Sequence, residues 1–366
     1  MELIIGHIDT GIEWRGGQQQ AAYLHEGLLK KGYKSILFCK PDSSFEKYLK
    51  SNALPYKTFK MLGELDIISA FNISVYCRKH KINILHLHSA HALTIGLLVK
   101  FFFHKIRIIG VRRVDFHLKN NFFSNFKYKN RFLDKIVTVS DGVKRVLLED
   151  GVDENKIITI YDGVDINKFR KLKIDPKLKE TLGIEGNVFL IGTVAALTGH
   201  KDYPNLLNAA KIVTDKINNV IFCAYGNGQK EEEIKELASK LKLGNKFIFA
   251  GFRKDVGQFL KICDIFVLAS KLEGLGSSIL DAMSVGLPVV GTNTGGIPEI
   301  IKHNENGLLV EKENHEKLAE AIISLINDEN KRKLIGINSF EYVKEFDIDK
   351  YVEKNIKLYE KLLGLN

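Results

Sequence analysis

Two carboxylates flank a glycine-containing turn in the C-terminal half of this 366-residue chain, where residues 273–281 read EGLGSSILD. The glycines lack the Cβ atoms that would keep a ligand away from the main chain. Main-chain N–H groups at the start of a helix favour an anion, and ionised carboxylates suit sugar or ribose hydroxyls because they only accept hydrogen bonds. The candidate binding residues are Glu273, Gly274, Leu275, Gly276, Ser277, Ser278 and Asp281. The alternative is a plain strand–turn–helix connection with a solvated Asp281.

The elements that must position this turn alternate along the chain between short apolar runs and amphipathic segments. We predict strands at 3–8, 35–39, 82–87, 106–111, 135–139, 188–194, 220–225, 246–250, 265–268 and 288–291. We predict helices at 18–31, 67–80, 142–150, 203–216, 230–241, 278–285, 316–327 and 351–363. This alternation predicts an α/β fold. Because it occurs twice, we expect two Rossmann-like, doubly wound domains that face each other across a cleft, with ligands beyond the carboxyl ends of the strands.

The domain boundary is predicted from a change in composition. Residues 171–187 are highly charged, have no strand periodicity and contain Pro176, Gly183 and Gly186. We therefore expect domains over residues 1–170 and 188–345, joined by a linker over 171–187. Residues 346–366 have a helical pattern, and we expect this C-terminal helix to pack back toward the N-terminal domain.

Composition excludes several classes of protein. With 45% hydrophobic and 27% charged residues and 6 prolines, the chain is not collagen-like, disordered or a disulfide scaffold. Its cysteines are far apart and form no CxxC pair, which indicates a reducing compartment and no metal or redox site. The first residues lack a signal-peptide pattern, and the longest apolar stretch, 92–103, is too short to span a bilayer. We therefore expect a soluble, cytoplasmic protein.

The net charge of +10 lies entirely in residues 1–170, whereas residues 171–366 are balanced. Such a field attracts nucleic acid, phosphorylated small molecules or anionic lipid head groups, and the alternative is a solvated lysine-rich surface. The aromatic and basic stretches 101–105 and 122–129 are candidates to rest on an anionic membrane surface or to stack on single-stranded nucleic acid. For residues 101–103 a place in the core is the simpler interpretation, whereas 122–129 fits a surface loop.

Residues 273–300, EGLGSSILDAMSVGLPVVGTNTGGIPEI, resemble the signature of the retaining glycosyltransferases of family 4, which have the two-domain GT-B fold. The family usually has Glu where this chain has Asp281, which is one methylene shorter. Similar segments lie along nearly the whole chain: Gly16-Gly17, ILHLHS at 84–89, Val139-Ser140, DGVD at 162–165 and Gly251-Phe252-Arg253.

The resemblance implies a role for each matching position. Glu273 would contact the transferred sugar or its diphosphate, and Asp281 would hold the ribose. The positions expected beside the donor phosphates are Gly16 and Gly17, and those expected beside the nucleobase are Phe252 and Arg253.

The resemblance also implies a basic pair that neutralises the leaving diphosphate. Lys201 matches the lysine of that pair, but the arginine position is Ala196 in this chain. Because leaving-group charge is the main electrostatic problem of the reaction, we expect another cation to compensate. Arg112 or Arg113, just after the strand at 106–111, is our candidate. The alternative is that these arginines bind the acceptor or form surface ion pairs.

Many members of the family also place a histidine at the end of that strand. The matching position here is close to Arg112, and His117 follows five residues later. His88, at the carboxyl end of the strand at 82–87, is our candidate for an imidazole that faces the cleft, because a neutral ring can donate one hydrogen bond and accept another. The alternative is a structural histidine.

Other motifs point to ordinary structure. Asp347-Ile348-Asp349 resembles the metal-binding motif of the other major glycosyltransferase fold, but it precedes an amphipathic helix, where acidic residues favour the helix start. Gly226-Asn227-Gly228 lacks the third glycine of a dinucleotide fingerprint. His86, His88 and His91 have the spacing of a strand and not of metal ligands. We therefore predict neither a metal nor a cofactor.

The resemblance implies a retaining, metal-independent transfer of a sugar from a nucleotide-sugar donor to an acceptor hydroxyl, without an enzyme nucleophile. The C-terminal domain would bind the donor, and the basic N-terminal domain would bind a carbohydrate or lipid-linked acceptor. Assembly of cell-envelope polysaccharide or lipopolysaccharide is the expected setting, on the inner face of the membrane. The alternatives are a GT-B nucleotide-sugar epimerase and a basic nucleic-acid-binding protein, whose affinity for random DNA would depend steeply on salt. We expect no nucleic-acid partner.

Overall fold

The computed structural model describes residues 2–118 and 127–365, and it divides the chain into two compact α/β units. The first unit comprises Met1–Gly163 together with Ile348–Asn366, and the second comprises Val164–Asp347. Both units are built on parallel sheets, which confirms the prediction of two Rossmann-like, doubly wound domains.

Within the described residues of the first unit, seven parallel strands form a sheet of order β3-β2-β1-β4-β5-β6-β7. Its elements before the domain boundary are β1 (Ile4–Ile8), α1 (Gly16–Lys30), β2 (Lys34–Cys39), α2 (Ser44–Ser51), β3 (Tyr56–Thr58), α3 (Ile67–Lys79), β4 (Ile84–Leu87), α4 (Ala90–Phe102), β5 (Arg107–Arg112), β6 (Lys135–Thr138), α5 (Asp141–Glu149) and β7 (Ile157–Thr159). The reversal of strand order beside β1 brings the loops after β1 and β4 together at the carboxyl edge, where ligands bind in such sheets.

Serine caps define where helices begin at this edge. Ser89, directly before α4, accepts a hydrogen bond from the N–H of Ala92 at 3.1 Å. Ser140, directly before α5, accepts one from the N–H of Val143 at 3.1 Å. Each cap satisfies a first-turn donor that has no partner within its helix, so the helix start is fixed close to the end of the preceding strand.

In residues 164–347, all of which the structure describes, six parallel strands form a second sheet of order β10-β9-β8-β11-β12-β13. The elements are α6 (Ile166–Lys171), α7 (Leu178–Thr181), β8 (Phe189–Val194), α8 (Tyr203–Lys216), β9 (Val220–Tyr225), α9 (Glu231–Lys240), β10 (Phe247–Phe249), α10 (Val256–Ile262), β11 (Ile265–Leu268), α11 (Ser277–Ser284), β12 (Val289–Thr292), α12 (Ile297–Ile300), β13 (Leu308–Val310), α13 (His315–Asn327) and α14 (Glu329–Val343). The reversal beside β8 places the loops after β8 and β11 next to each other.

The division into units differs from the predicted boundaries. The first unit ends at Gly163 and not at residue 170, and residues 171–187 lie inside the second unit. Apolar side chains spaced among the lysines explain the difference, since Leu178, Leu182 and Ile184 are buried. The carbonyl of Leu172 also accepts a hydrogen bond from the ammonium of Lys261 at 2.5 Å.

The last helix, α15 (Ile348–Leu363), belongs to the first unit. It lies against α1, where a Cβ atom on Gly27 would stand 2.4 Å from Cγ2 of Val352, so glycine permits the close approach of the two helices. The hydroxyl of Tyr359 contacts Nδ1 of His86 on β4 at 2.5 Å. The first domain is therefore completed by the end of the chain.

Candidate functional site

Lys201 and Glu273 form an ion pair in the second unit, at the carboxyl edge of its sheet. Lys201 ends the short 3₁₀ turn Gly199–Lys201 that follows β8, and Glu273 lies in the loop after β11. The Lys201 ammonium donates to the Glu273 carboxylate, and the hydroxyl of Ser270 donates to the same carboxylate oxygen at 3.0 Å. The side chains of the ion pair are 17% and 11% exposed, so they are held by the protein and still reachable from solvent.

The backbone around this ion pair is fixed by bonds between loops. The N–H of Lys271 donates to the carbonyl of His200 at 2.9 Å, and the N–H of Gly296 donates to the carbonyl of Glu273 at 3.2 Å. The hydroxyl of Thr294 donates to the carbonyl of Lys271 at 2.9 Å. The loops after β8, β11 and β12 therefore hold one another, and such a site can act on charge without first reorganising.

The glycine turn joins Glu273 to α11. Gly276 has a φ of +92°, a conformation that favours glycine, and a Cβ atom there would lie 3.1 Å from Cδ1 of Ile279. Ser277 and Ser278 are partly exposed and form the first turn of α11, where main-chain N–H groups have no partner within the helix. Leu275 is buried and anchors the turn. The structure thus brings Gly274, Gly276 and the start of α11 beside the Lys201–Glu273 ion pair, an arrangement suited to an anion.

Asp281 lies in α11, one turn beyond its first residues, and is partly buried. Burial raises the pKa of its carboxyl to about 7, against the opposing effect of the Lys168 ammonium. A carboxyl held in this way is suited to a hydroxyl-bearing ligand, because a neutral hydroxyl satisfies the carboxylate without bringing a second charge.

Phe252 and Arg253 follow β10 at the same edge of the sheet. Phe252 is 49% exposed and offers a free aromatic face. Arg253 donates from Nε and Nη2 to the two carboxylate oxygens of Asp255 at 2.9 and 2.7 Å, and its guanidinium lies 5.5 Å from the ring centroid of Tyr225. Phe252 is therefore available to stack on a planar group, while Arg253 is oriented by its own loop.

Gly16 and Gly17 begin α1 in the first unit, directly after the loop that follows β1. A Cβ atom on Gly17 would lie 3.6 Å from Cδ of Arg113, so the Arg113 side chain runs past this helix start. The Arg113 guanidinium forms a buried ion pair with Asp162, and its Nε has no hydrogen-bond partner among the described residues. A helix N-terminus and a guanidinium therefore stand side by side, both favourable to an anion.

Arg112, our first candidate for the missing cation, is committed to its own loop. Its Nε donates to the carbonyl of Val114 at 3.1 Å, its Nη1 donates to the hydroxyl of Tyr128 at 3.1 Å, and its Nη2 donates to the carbonyl of Phe116. This differs from the expectation of an arginine that is free to meet a diphosphate, because Arg112 instead holds residues 114–116 in place. Arg113 is also engaged, by Asp162 and Tyr351, but it runs past the start of α1 and is therefore the better placed of the two arginines for an anion there.

His88 lies in a cluster of buried imidazoles and differs from the expected cleft-facing group. Its Nε2 is hydrogen-bonded to Nδ1 of His7 at 3.0 Å, and its ring stacks on His86 with the centroids 4.7 Å apart. The remaining member, His25, contacts the hydroxyl of Ser35 at 2.6 Å. Burial lowers the pKa of all four histidines, to about 4 for His25 and about 3 for His86, so the rings are neutral at pH 7.

The same cluster contains the group of side chains that could approach a metal ion. One nitrogen each of His7, His86 and His88 lies within 4.8 Å of the others. The hydrogen bond between His7 and His88 uses one nitrogen of each of these two rings, while Nε2 of His7, Nε2 of His86 and Nδ1 of His88 are buried without a hydrogen-bond partner among the described residues. His117, in contrast, is exposed on the surface, and a hydrogen bond to Asp150 raises its pKa.

The aromatic and basic stretches are placed differently from the prediction. Of residues 101–103, for which a place in the core was the simpler expectation, Phe102 and Phe103 pack against the core, whereas Phe101 is 62% exposed. Of the stretch 122–129, residues 122–126 lie outside the described residues. Tyr128 is buried, and Lys127 is buried in an ion pair with Glu64 at 2.7 Å, so these two positions do not form a surface loop. Among residues 2–118 and 127–365, no helix combines the length and the apolar character needed to cross a bilayer.

A surface pocket of about 680 Å³ lies at the opposite edge of the second sheet, among the residues that precede β11 and β12. Its lining includes Asp264, Pro288 and Phe340. Two of its cations are already engaged, since Lys261 donates to backbone carbonyls of residues 170 and 172 and Arg332 donates to those of residues 325 and 326. Lys333 pairs with Glu329, and the residues that the sequence pattern singled out lie at the carboxyl edge and do not line this pocket.

Sequence reasoning did not single out some residues that complete these sites. Ser270 orients Glu273, Asp162 holds Arg113, and Tyr359 contacts His86 from a helix 273 residues away. Asp162 lies in a segment that already matched the family pattern, which was an available signal. No sequence signal links Tyr359 to His86, because that contact depends on how the last helix folds back onto the first unit.

Comparison with known protein families and structures identifies the chain. Residues 175–362 match the family model "Glycosyl transferases group 1", and residues 14–168 match "Glycosyltransferase Family 4". The chain is 32% identical over 246 residues to a glycosyltransferase of Methanocaldococcus jannaschii, a match that covers 67% of this chain and 64% of that protein.

Two further proteins are similar over nearly their whole length. The UDP-Gal:alpha-D-GlcNAc-diphosphoundecaprenol alpha-1,3-galactosyltransferase of Escherichia coli is 26% identical, over 98% of this chain and 97% of that protein. The crystal structure of Anabaena HepE in complex with UDP-glucose has a TM-score of 0.85 at 22% identity and covers 100% of both chains. The fold is therefore GT-B, and the chain belongs to the family of glycosyl transferases group 1.

Proposed function

We propose that this protein is a retaining, metal-independent glycosyltransferase that transfers a hexose from a UDP-sugar to an acceptor hydroxyl. The relative from Escherichia coli is named for UDP-Gal, and the similar Anabaena structure contains UDP-glucose. The observation that carries the proposal is the Lys201–Glu273 ion pair beside the Gly274–Gly276 turn. It puts a cation, a carboxylate and unpaired helix N–H groups at one point, and a sugar diphosphate needs all three.

In this proposal the donor lies along the carboxyl edge of the second sheet. The diphosphate rests over the N-terminus of α11, where Ser277 and Ser278 present their main-chain N–H groups. The carboxyl of Asp281 accepts hydrogen bonds from the ribose hydroxyls, and Phe252 stacks on the base. Asp281 is one methylene shorter than the usual Glu, so the ribose would sit closer to α11.

The chemical step breaks the bond between the anomeric carbon and the diphosphate oxygen, and the electron pair leaves with the diphosphate. The Lys201 ammonium stabilises the charge that develops on this oxygen. The acceptor hydroxyl attacks from the face that the diphosphate leaves, so the configuration is retained, and its proton passes to the departing diphosphate. Glu273 keeps the ammonium in place before the donor binds and then accepts a hydrogen bond from the sugar.

A second cation compensates for Ala196. Arg113 is the group that the geometry favours, because it lies beside the start of α1 at Gly16 and Gly17, whereas Arg112 holds its own loop. Within the second domain, Lys201 and the N-terminus of α11 would supply positive charge of the kind that other enzymes obtain from a divalent metal ion. In this scheme Arg112 and His88 support the acceptor domain without touching the reacting atoms.

The proposed acceptor is a lipid-linked saccharide of the cell envelope, bound by the basic first domain at the inner face of the membrane. Support comes from the diphosphoundecaprenol acceptor in the name of the Escherichia coli relative. The excess of positive charge in residues 1–170 fits an acceptor that carries a diphosphate.

The test begins with a thermal-shift screen of nucleoside diphosphates, in which UDP should give the largest stabilisation. Transfer from UDP-hexoses to diphospholipid-linked saccharides is then measured with and without a chelator, and NMR assigns the new anomeric linkage. We expect transfer with retention that survives the chelator. Conversion of the UDP-sugar to its epimer without acceptor would instead identify an epimerase, and loss of transfer with the chelator would contradict metal independence.

A further inference from the structure

Helix α3 and the loop before it expose an unusual number of large apolar side chains. Leu62, Leu65, Ile68, Phe71, Val75 and Phe101 are between 46% and 80% exposed, and we refer to these six residues as the apolar face. Leu62 at 80% and Ile68 at 76% protrude furthest. Single exposed apolar residues are common on proteins, but a cluster of this kind marks an interaction site.

The arrangement of α3 shows that these residues form one surface. Ile68, Phe71 and Val75 follow one another at helical spacing, so they share the outer side of α3, while Ile73 and Cys77 on its inner side are buried. The surface continues onto α4, because the ring of Phe71 packs against that of Phe102 with the centroids 5.5 Å apart, and Phe101 adjoins Phe102. Because α3 has apolar residues on both its inner and its outer side, we expect its outer side to contact a second apolar environment.

Charge around the apolar face is positive. Lys60, Arg78, Lys79, Lys81 and Lys105 are exposed on the segments that carry it or border it. The two acidic groups of the same region are engaged, since Glu64 is paired with Lys127 and Asp66 caps α3 by accepting from the N–H of Ser69 at 2.9 Å. A surface with protruding aliphatic tips and a basic rim complements the interface of an anionic bilayer.

Part of the apolar face lies near the edge of the first sheet at which we expect an acceptor to bind. The loop 59–66 leaves the end of β3, so Leu62, Leu65 and Ile68 lie near the carboxyl edge of the first sheet. The loop held by Arg112 is at the same edge, and it exposes Val114 and Phe116. A bilayer in contact with Leu62, Leu65 and Ile68 would therefore adjoin the edge at which ligands of this domain are expected, while Val75 and Phe101 extend the apolar face toward the opposite edge.

We propose that the apolar face docks this protein onto a membrane surface that contains anionic phospholipid, with the aliphatic tips in the acyl boundary and the lysines among the head groups. The proposal deepens the proposed function and rests on it for its purpose, because docking would bring a lipid-linked acceptor to the first domain. A protein partner or a second copy of the chain is the alternative occupant, and the experiment separates these cases.

The full-length protein is sedimented with vesicles of neutral phosphatidylcholine, or of the same lipid with about 30% phosphatidylglycerol, at about 50 mM and about 500 mM salt. We expect binding to the anionic vesicles at low salt, with weaker binding at high salt and to neutral vesicles. The double variant Leu62→Ser/Ile68→Ser should bind the anionic vesicles roughly tenfold or more weakly. The variant Lys79→Glu/Lys81→Glu should mainly lose the preference for anionic over neutral vesicles.

The matched control is Leu334→Ser/Ile337→Ser, which removes two aliphatic side chains that are 59% and 62% exposed in the second unit. It should bind vesicles like the natural protein. Equal binding by the Leu62→Ser/Ile68→Ser variant, equal binding to neutral vesicles, or no binding at low salt would overturn the proposal. A dimer that this variant dissociates would assign the face to a second copy instead.

Activity assays distinguish a failure of this inference from a failure of the proposed function. With a water-soluble acceptor analogue, the Leu62→Ser/Ile68→Ser variant should keep the natural rate. With an acceptor embedded in anionic vesicles, it should be slower by about the factor lost in vesicle affinity. Vesicle binding without any transfer from UDP-sugars would leave the docking surface standing and contradict the proposed reaction.

Discussion

The Lys201 ammonium donates to the carboxylate of Glu273, a residue 72 positions further along the chain. The contact joins the loops after β8 and β11, which are neighbouring strands although α8, β9, α9, β10 and α10 separate them in sequence. In the proposed reaction, this ion pair would hold the lysine where the leaving diphosphate needs a positive charge.

Replacing Lys201 should therefore impair turnover more than folding. We expect Lys201→Ala to lower kcat by roughly 100- to 1000-fold, because it removes a preorganised positive charge from the transition state. Steady-state transfer from a UDP-hexose measures the loss, and circular dichroism checks the fold. The control is Lys211→Ala on α8, whose ammonium pairs with Asp215 on the surface. Equal activity of both variants would exclude Lys201 from the reaction.

Asp281 should make the ligand-free protein less stable as the pH rises. Burial in the folded state raises the pKa of Asp281 from its ordinary value of 3.8 to about 7, so the folded carboxyl keeps its proton where the unfolded one has lost it. Stability from this group is full below about pH 4 and declines toward pH 7, by at most roughly 1.4 kcal/mol per pH unit. Asp281→Asn should make the free energy of unfolding depend less on pH in this range. Urea unfolding at pH 5 and pH 8 measures the change.

The same substitution should weaken donor binding, because the amide cannot replace a carboxylate as a pure acceptor for two ribose hydroxyls. We expect roughly a tenfold loss of affinity for UDP, measured by calorimetry at pH 8. A variant that is both more stable and equally tight in UDP binding would show that Asp281 does not hold the ribose.

The buried histidines should make the first domain sensitive to acid. The unfolded chain binds protons near pH 6.5, whereas the folded pKa values are about 4 for His25 and about 3 for His86. Stability is therefore full above about pH 6.5 and falls as the pH drops toward those values. His25→Gln should lower the free energy of unfolding at pH 7. It should also make that free energy depend less steeply on pH below pH 6.5. Hydrogen exchange of β1 and β4 amides at pH 5 and pH 7 assigns the effect to this cluster, and an unchanged slope would contradict it.

Substitutions of Arg112 and Arg113 should have different effects, the first mainly on stability and the second mainly on kcat. Arg112→Ala removes hydrogen bonds to Val114, Phe116 and Tyr128. We expect it to lower the free energy of unfolding by about 1–3 kcal/mol and to change kcat only modestly. Arg113→Lys keeps a positive charge but loses the planar geometry of its pairing with Asp162, and we expect it to lower kcat at least tenfold. If Arg112→Ala instead lowered kcat and Arg113→Lys lowered only stability, Arg112 would be the cation that compensates for Ala196.

Much of the fold followed from periodicity, and the exceptions have physical causes. Buried strands such as β1 and β8 are short apolar runs between turn signals, so they were predictable. The edge strands β3, β7 and β13 are three residues each and too short to establish a period. Helix α4 is apolar on nearly all sides because it is buried, and periodicity cannot separate such a helix from a strand.

The candidate site was predictable where its residues are adjacent in sequence, as in the turn from Glu273 to Ser278. Contacts made through the fold were not. Nothing near Arg112 in the sequence shows that its guanidinium is used by its own loop, and nothing near His88 predicts a ring from β1 beside it. Local pattern indicates residue type and element, whereas the orientation of a side chain depends on distant neighbours.

The last helix of the chain has a consequence for biosynthesis. Because α15 lies against α1 and Tyr359 reaches His86, the first domain is not a continuous piece of polypeptide. A ribosome that has released residues 1–163 has not yet supplied the helix that covers α1 and closes over the histidines. The second domain can mature first, although it is synthesised later, and a chain truncated before Ile348 would lack the helix that contacts α1 and His86 in the first domain.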